Sequence, residues 1–104
     1  MDLKKLEGEI KQYKSLVQIA DALLRLEDNK DFQTIISNGY LGDHLRVLVS
    51  KRNADLTPDN AVSRQIDSVS NLMAYLSNIK TIGATARASL AESEQTLEEH
   101  FEEE

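Results

Sequence analysis

The chain holds two histidines, His44 and His100, and eighteen carboxylates, the groups from which acid–base or metal chemistry would have to be built. A zinc site needs three or four ligands converging on one point. His44 and His100 fall in different predicted helices, and neither sits in a zinc-ligand motif. Asp43 and His44 are adjacent, and neighbouring residues on a helix do not share a face. His44 therefore reads as an ordinary surface residue. A glycosidase-type carboxylate pair must flank a cleft, and no such cleft can be identified in the pattern of acids. Ser50, Ser63, Ser68, Ser70, Ser77, Ser89 and Ser93 stand in no nucleophile-elbow context. The four glycines are isolated, so no glycine-rich loop cradles a phosphate. No catalytic, cofactor-binding or metal-binding residue is assigned, and the expectation is a non-enzymatic protein without a cofactor.

The composition points to helices. Four glycines and one proline in 104 residues are too few turns for an all-β domain. Aromatics make up 5% and tryptophan is absent, so a core must come from Leu, Ile, Val, Ala and Met. Cysteine is absent, which excludes disulfides and thiolate metal sites. No apolar run approaches the roughly 20 residues that span a bilayer. The charged, periodic start Met1-Asp2-Leu3-Lys4-Lys5-Leu6-Glu7 is unlike a signal peptide. These features predict a protein without membrane contact.

Charge is unevenly placed. Glu92, Glu94, Glu98, Glu99, Glu102, Glu103 and Glu104 carry −7 with no Lys or Arg among them, against a net charge of −6. The rest of the chain is close to neutral. A nucleic-acid binder needs a basic face, and none is expected here.

The elements follow from periodicity. Leu3, Leu6, Ile10, Tyr13, Val17, Ala20 and Leu24 recur at steps of three and four, which predicts a first long helix over 2–27. Leu16, Ile19, Leu23 and Leu26 widen its stripe in the second half. Residues 29–56 read as an elbow of short helices, with Asn29 or Asp28 as an N-cap and a stop at Asn38-Gly39, where glycine favours the left-handed conformation. A further helix begins at Tyr40-Leu41. Thr57-Pro58-Asp59 has the composition of a helix start. A long C-terminal helix over 57–101 follows, carrying Val62, Ile66, Val69, Leu72, Met73, Leu76, Ile79, Ile82, Ala86, Leu90, Leu97 and Phe101 in helical period. At 1.5 Å per residue it spans about 60 Å. The fold class is all-α: a single helical domain, 1–104, built as a long antiparallel helical hairpin, coiled-coil-like, with one or two short helices at its connecting end.

The first helix is shorter than the last, so the acidic end of the last is expected to project. Leu90, Leu97 and Phe101 would then lack an internal partner, with Glu94 and Glu98 beside them. Gly83 and Ala86 occupy stripe positions where leucine would be expected. They mark either a thin place where a short helix crosses close by or a contact with another subunit. Gly83, Ala86, Leu90, Glu94, Leu97, Glu98 and Phe101 are the candidate protein-interaction residues. Phe32, Ile35, Ile36, Tyr40 and Leu41 read as packing at the closed end of the bundle, or else as an exposed apolar patch.

Two stretches carry a resemblance. One is Asp31-Phe32-Gln33-Thr34-Ile35-Ile36-Ser37-Asn38-Gly39-Tyr40-Leu41 followed by Arg46-Val47-Leu48-Val49. The other is Ile66-Asp67, then Leu72-Met73-Ala74-Tyr75-Leu76 and Ile82-Gly83. Over residues 20 to 100 the chain resembles small helical proteins encoded among the virion-structure genes of tailed bacteriophages. The resemblance implies a place in the virion or in its assembly, with other virion proteins as partners, and brings no catalytic residues. The expected function is thus a structural or assembly protein of a tailed-phage virion, located in the virion or the host cytoplasm. It would form a homo-oligomer or dock on protein partners through its helices. The alternative is a small regulatory inhibitor that binds a host protein through the acidic C-terminal helix.

Overall fold

The computed structural model describes residues 2–54 and 60–103. The order is α1 (Leu3–Glu27), α2 (Lys30–Phe32), a π-helical stretch (Gln33–His44), α3 (Leu45–Ala54) and α4 (Asn60–Glu102). The all-α expectation holds among the described residues. The predicted helix start at Thr57-Pro58-Asp59 lies outside them.

Local chemistry sets the helix ends. The backbone N–H of Lys5 donates to the Asp2 carboxylate at 3.2 Å, satisfying one of the free donors at the start of α1. At the other end, the Gln33 side chain donates to the Glu27 carbonyl at 2.7 Å. Asn29 then caps the next helix: its side-chain oxygen accepts from the N–H groups of Asp31 at 2.9 Å and Phe32 at 3.1 Å.

The expected stop at Asn38-Gly39 does not occur. The chain runs through it in a widened helix with i→i+5 character from Gln33 to His44. No glycine among the described residues has positive φ. Gly39 serves a different purpose, because a Cβ there would lie 2.8 Å from the Thr34 carbonyl oxygen, five residues back. The Thr34 hydroxyl donates to the Lys30 carbonyl at 2.9 Å, a back-bond of the kind that bends helices. Tyr40, expected to open a helix, is interior to this stretch.

The chain forms two compact units, Met1–Leu23 with Asn78–Glu104, and Leu24–Ser77. In the second unit the core is Leu48 from α3 with Ile66 and Val69 from α4. Val69 is fully buried and Leu48 nearly so. Tyr40, Leu41, Leu45, Val49 and Val62 pack around them. Tyr40 and Leu41 thus serve the packing role read for the middle segment, whereas Ile35 is 65% exposed.

In the first unit α1 and α4 pack as an antiparallel hairpin. Ile10, Val17, Ala20 and Leu23 are buried on α1, and Gly83 and Ala86 on α4. Lys14 pairs with Glu94, and seven residues later on α1 Asp21 pairs with Arg87, seven residues earlier on α4. One step up α1 is one step down α4. Carried back along α1, that register brings its first turn level with the last turn of α4. The expected projection of the acidic end is therefore corrected. Leu90 and Leu97 are half-buried rather than left over, while Phe101 remains 54% exposed. The expectation assumed that both long helices begin at a common closed end. Instead, residues 60–77 of α4 belong with α3, and α1 is matched to the C-terminal part of α4.

Candidate functional site

The residues that looked chemically capable are engaged separately. Asp43 forms an ion pair with Arg46, and the His44 ring stacks on Tyr40 at a centroid distance of 5.5 Å. Neither is aimed at the other. His100 lies edge-on to Phe101 at 5.8 Å. Among the described residues no group of three or more His, Asp or Glu side chains could hold a metal ion. No helix among them is long and apolar enough to cross a membrane.

The predicted interaction residues all lie on α4 in the first unit, but they do different things. Gly83 is buried where α1 crosses closest. A Cβ there would overlap the Ala20 Cβ and lie 3.7 Å from its Cα and 3.8 Å from the Leu16 carbonyl oxygen. Ala86 is 3% exposed beside it. The small residues thus pack within the chain, but against the long α1 rather than the short helix expected to cross there. Leu90 and Leu97 continue that inner face and are half-buried. Glu94 pairs with Lys14 at 3.8 Å. Glu98 and Phe101 differ from these in being exposed, Phe101 with 54% of its surface.

The two flanks of the hairpin differ in chemistry. One flank is charged and cross-linked: Arg87 donates to the Asp21 carboxylate at 2.6 Å, and Lys14 meets Glu94 further along. Such exposed pairs are worth about 0–1 kcal/mol each, but they occupy that flank with solvated groups.

The opposite flank carries an apolar groove of about 210 Å³, lined by Tyr13 and Leu16 from α1 and by Thr81, Ile82, Thr85, Ala86 and Ser89 from α4. Ile82 on its rim is 48% exposed, as is Ile19, one turn beyond Leu16. The α1 side of the groove is bulky. The α4 side is mostly small, with Thr81, Thr85 and Ser89 repeating every four residues. Further along α4, the Thr96 hydroxyl donates to the Glu92 carbonyl of its own helix at 3.0 Å.

Sequence reasoning missed the groove. The widening of the α1 stripe at Leu16 and Ile19 was its visible trace. The Thr81, Thr85 and Ser89 spacing was the trace on α4, and serine and threonine on a helix read as solvated until a neighbour is placed beside them. No protein family model, curated protein or solved structure matches this chain.

Proposed function

We propose that this chain is a non-enzymatic structural or assembly protein of a tailed-phage virion that acts by helix-mediated docking and oligomerisation. The resemblance of the segments around Phe32 to Val49 and Ile66 to Gly83 supports the virion assignment. The observation that supports docking is the unequal dressing of the α1/α4 hairpin: one flank is tied by Lys14–Glu94 and Asp21–Arg87, and the other leaves Ile19 and Ile82 about half exposed around an apolar groove. Water-exposed aliphatic side chains gathered on one side of a rigid element are the mark of a surface that meets another protein. The exposed Phe101, at the acidic end, extends the contact-capable part of α4.

On this reading the protein resides in the virion, or in the host cytoplasm during assembly, and its partners are other virion proteins and further copies of itself. Quantitative mass spectrometry of gradient-purified particles tests it. The chain should be present at a fixed ratio of many copies to the major capsid protein. Its absence from both mature particles and assembly intermediates would refute the assignment.

A further inference from the structure

We infer that the apolar groove of the α1/α4 hairpin is filled by a second copy of the same hairpin, related by a twofold axis running along the helices, to give a four-helix bundle. This rests on the reading of the chain as a self-associating structural protein, and narrows it to one surface and one geometry.

The first argument is exposed apolar surface. Ile19 and Ile82 are each 48% exposed on this flank, beside the concave groove between α1 and α4, and aliphatic groups gathered beside a recess favour burial against another protein.

The second argument is self-complementarity. A twofold contact must match a surface to itself, so each bulky feature needs a recess on the same surface. This flank supplies both: bulky Tyr13 and Leu16 line the groove on α1, with exposed Ile19 one turn beyond, beside a small row of Thr81, Thr85 and Ser89 on α4. An axis along the helices lays α1 of each copy over α4 of the other, bulky row onto small row. Every neighbouring helix pair is then antiparallel. A twofold axis across the helices would instead press α1 on α1, bulk against bulk, and α4 on α4, small against small.

The third argument is register, which also sets one opposite-charge pair across the copies. At 100° per residue Lys5, Leu16 and Ile19 share one side of α1, and Thr85, Glu92 and Glu99 share one side of α4. The register set by the close approach of Ala20 and Gly83 within a chain is repeated between copies by an axis along the helices. Lys5 of each copy then comes within one residue of the level of Glu99 of the other, and Ile19 within one residue of the level of Thr85.

The test uses the full chain. Sedimentation velocity over a wide concentration range should give a species of twice the monomer mass of 11.7 kDa. Ile19→Glu and Thr85→Glu alter half-exposed or exposed positions, so each should return the protein to monomer with its helical circular dichroism unchanged. The chain has no cysteine, so single-cysteine variants report geometry directly. A mixture of Ile19→Cys and Thr85→Cys chains treated with a short bis-maleimide should yield the mixed conjugate in preference to either self-conjugate. A monomer at every concentration would overturn the proposal, as would a dimer insensitive to both glutamate variants. Preferential self-conjugation of Ile19→Cys would overturn the axis. A monomeric chain still found in particles would remove this inference and leave the virion reading standing. A dimer absent from particles and assembly intermediates would do the reverse.

Discussion

Gly83→Ala should destabilise the protein, although the same change on an open helix surface stabilises. In a helix interior alanine is favoured over glycine by about 0.5–1 kcal/mol. At Gly83 the added methyl would overlap the Ala20 Cβ, with the Ala20 Cα at 3.7 Å and the Leu16 carbonyl oxygen at 3.8 Å from the new atom. Backbone and a short Cβ cannot swing aside, so the helices must separate by about 1 Å. A gap of that size forfeits a quarter to a half of each contact across it, and Val17, Ala20, Leu23 and Ala86 are the buried residues along this seam. Overpacking of this kind costs about 1–3 kcal/mol, which exceeds the propensity gain and leaves a net loss of about 1–2 kcal/mol. Gly8 is the internal control, because a Cβ there meets nothing within 4 Å. Gly8→Ala should therefore raise stability by about 0.5–1 kcal/mol. Urea denaturation followed by circular dichroism reads both. The double change Gly83→Ala with Ala20→Gly should recover part of the loss, since the methyl has moved across the seam. If Gly83→Ala raised the urea midpoint as Gly8→Ala does, the close approach of α1 and α4 at this point would be wrong.

Three further outcomes follow from the same contacts. Asn29→Ala removes the acceptor for the Asp31 and Phe32 N–H groups and should cost about 1 kcal/mol, seen as faster amide exchange at those two residues. Leu48→Ala empties the centre of the Ile66 and Val69 cluster and should cost about 2–5 kcal/mol in chemical denaturation, a larger loss than removal of the Asn29 cap. A double-mutant cycle on Asp21 and Arg87 should give a coupling of no more than about 1 kcal/mol, shrinking in salt, because both side chains are substantially exposed.

The first helix, its end near Glu27 and the Asn29 cap are legible in the sequence because each depends on residues within one or two turns of one another. The Asn38-Gly39 stop misleads for the same reason. Locally it carries a helix-ending signature, and only the approach of the Thr34 carbonyl shows that Gly39 is there for room inside a widened turn. The hairpin register is not legible. A heptad stripe fixes which face of a helix is buried, but not how far one helix slides along another. That offset becomes visible through Ala20 against Gly83 and through pairs such as Asp21 with Arg87, 66 residues apart. The groove depends on the same offset. Until Thr85 and Ser89 stand beside Leu16, they read as an ordinary polar surface.

The acidic end supplies a last discriminating prediction about association. Lys14 already holds Glu94 on the charged flank, whereas Glu92 and Glu99 share the side of α4 that carries Thr85. A twofold axis along the helices brings both acidic ends to the same end of the bundle, seven carboxylates from each chain. Against this repulsion the pairing of Lys5 with Glu99 supplies only two cross-chain attractions. The net electrostatic effect on dimerisation is therefore unfavourable, and the apolar groove must overcome it. Salt screens such exposed charges, with a Debye length falling from about 30 Å at 0.01 M to about 10 Å at 0.1 M, while burial of the groove is far less affected. Dimerisation measured by sedimentation equilibrium should accordingly strengthen as sodium chloride rises through that range. Lys5→Glu should weaken it, and more so at the low-salt end. Head-to-tail assembly of the acidic end onto a basic surface such as Arg46, Lys51 and Arg52 of α3 would behave in the opposite way, being driven by attraction and dissolved by salt. Weakening with salt would therefore rule out the parallel-axis bundle.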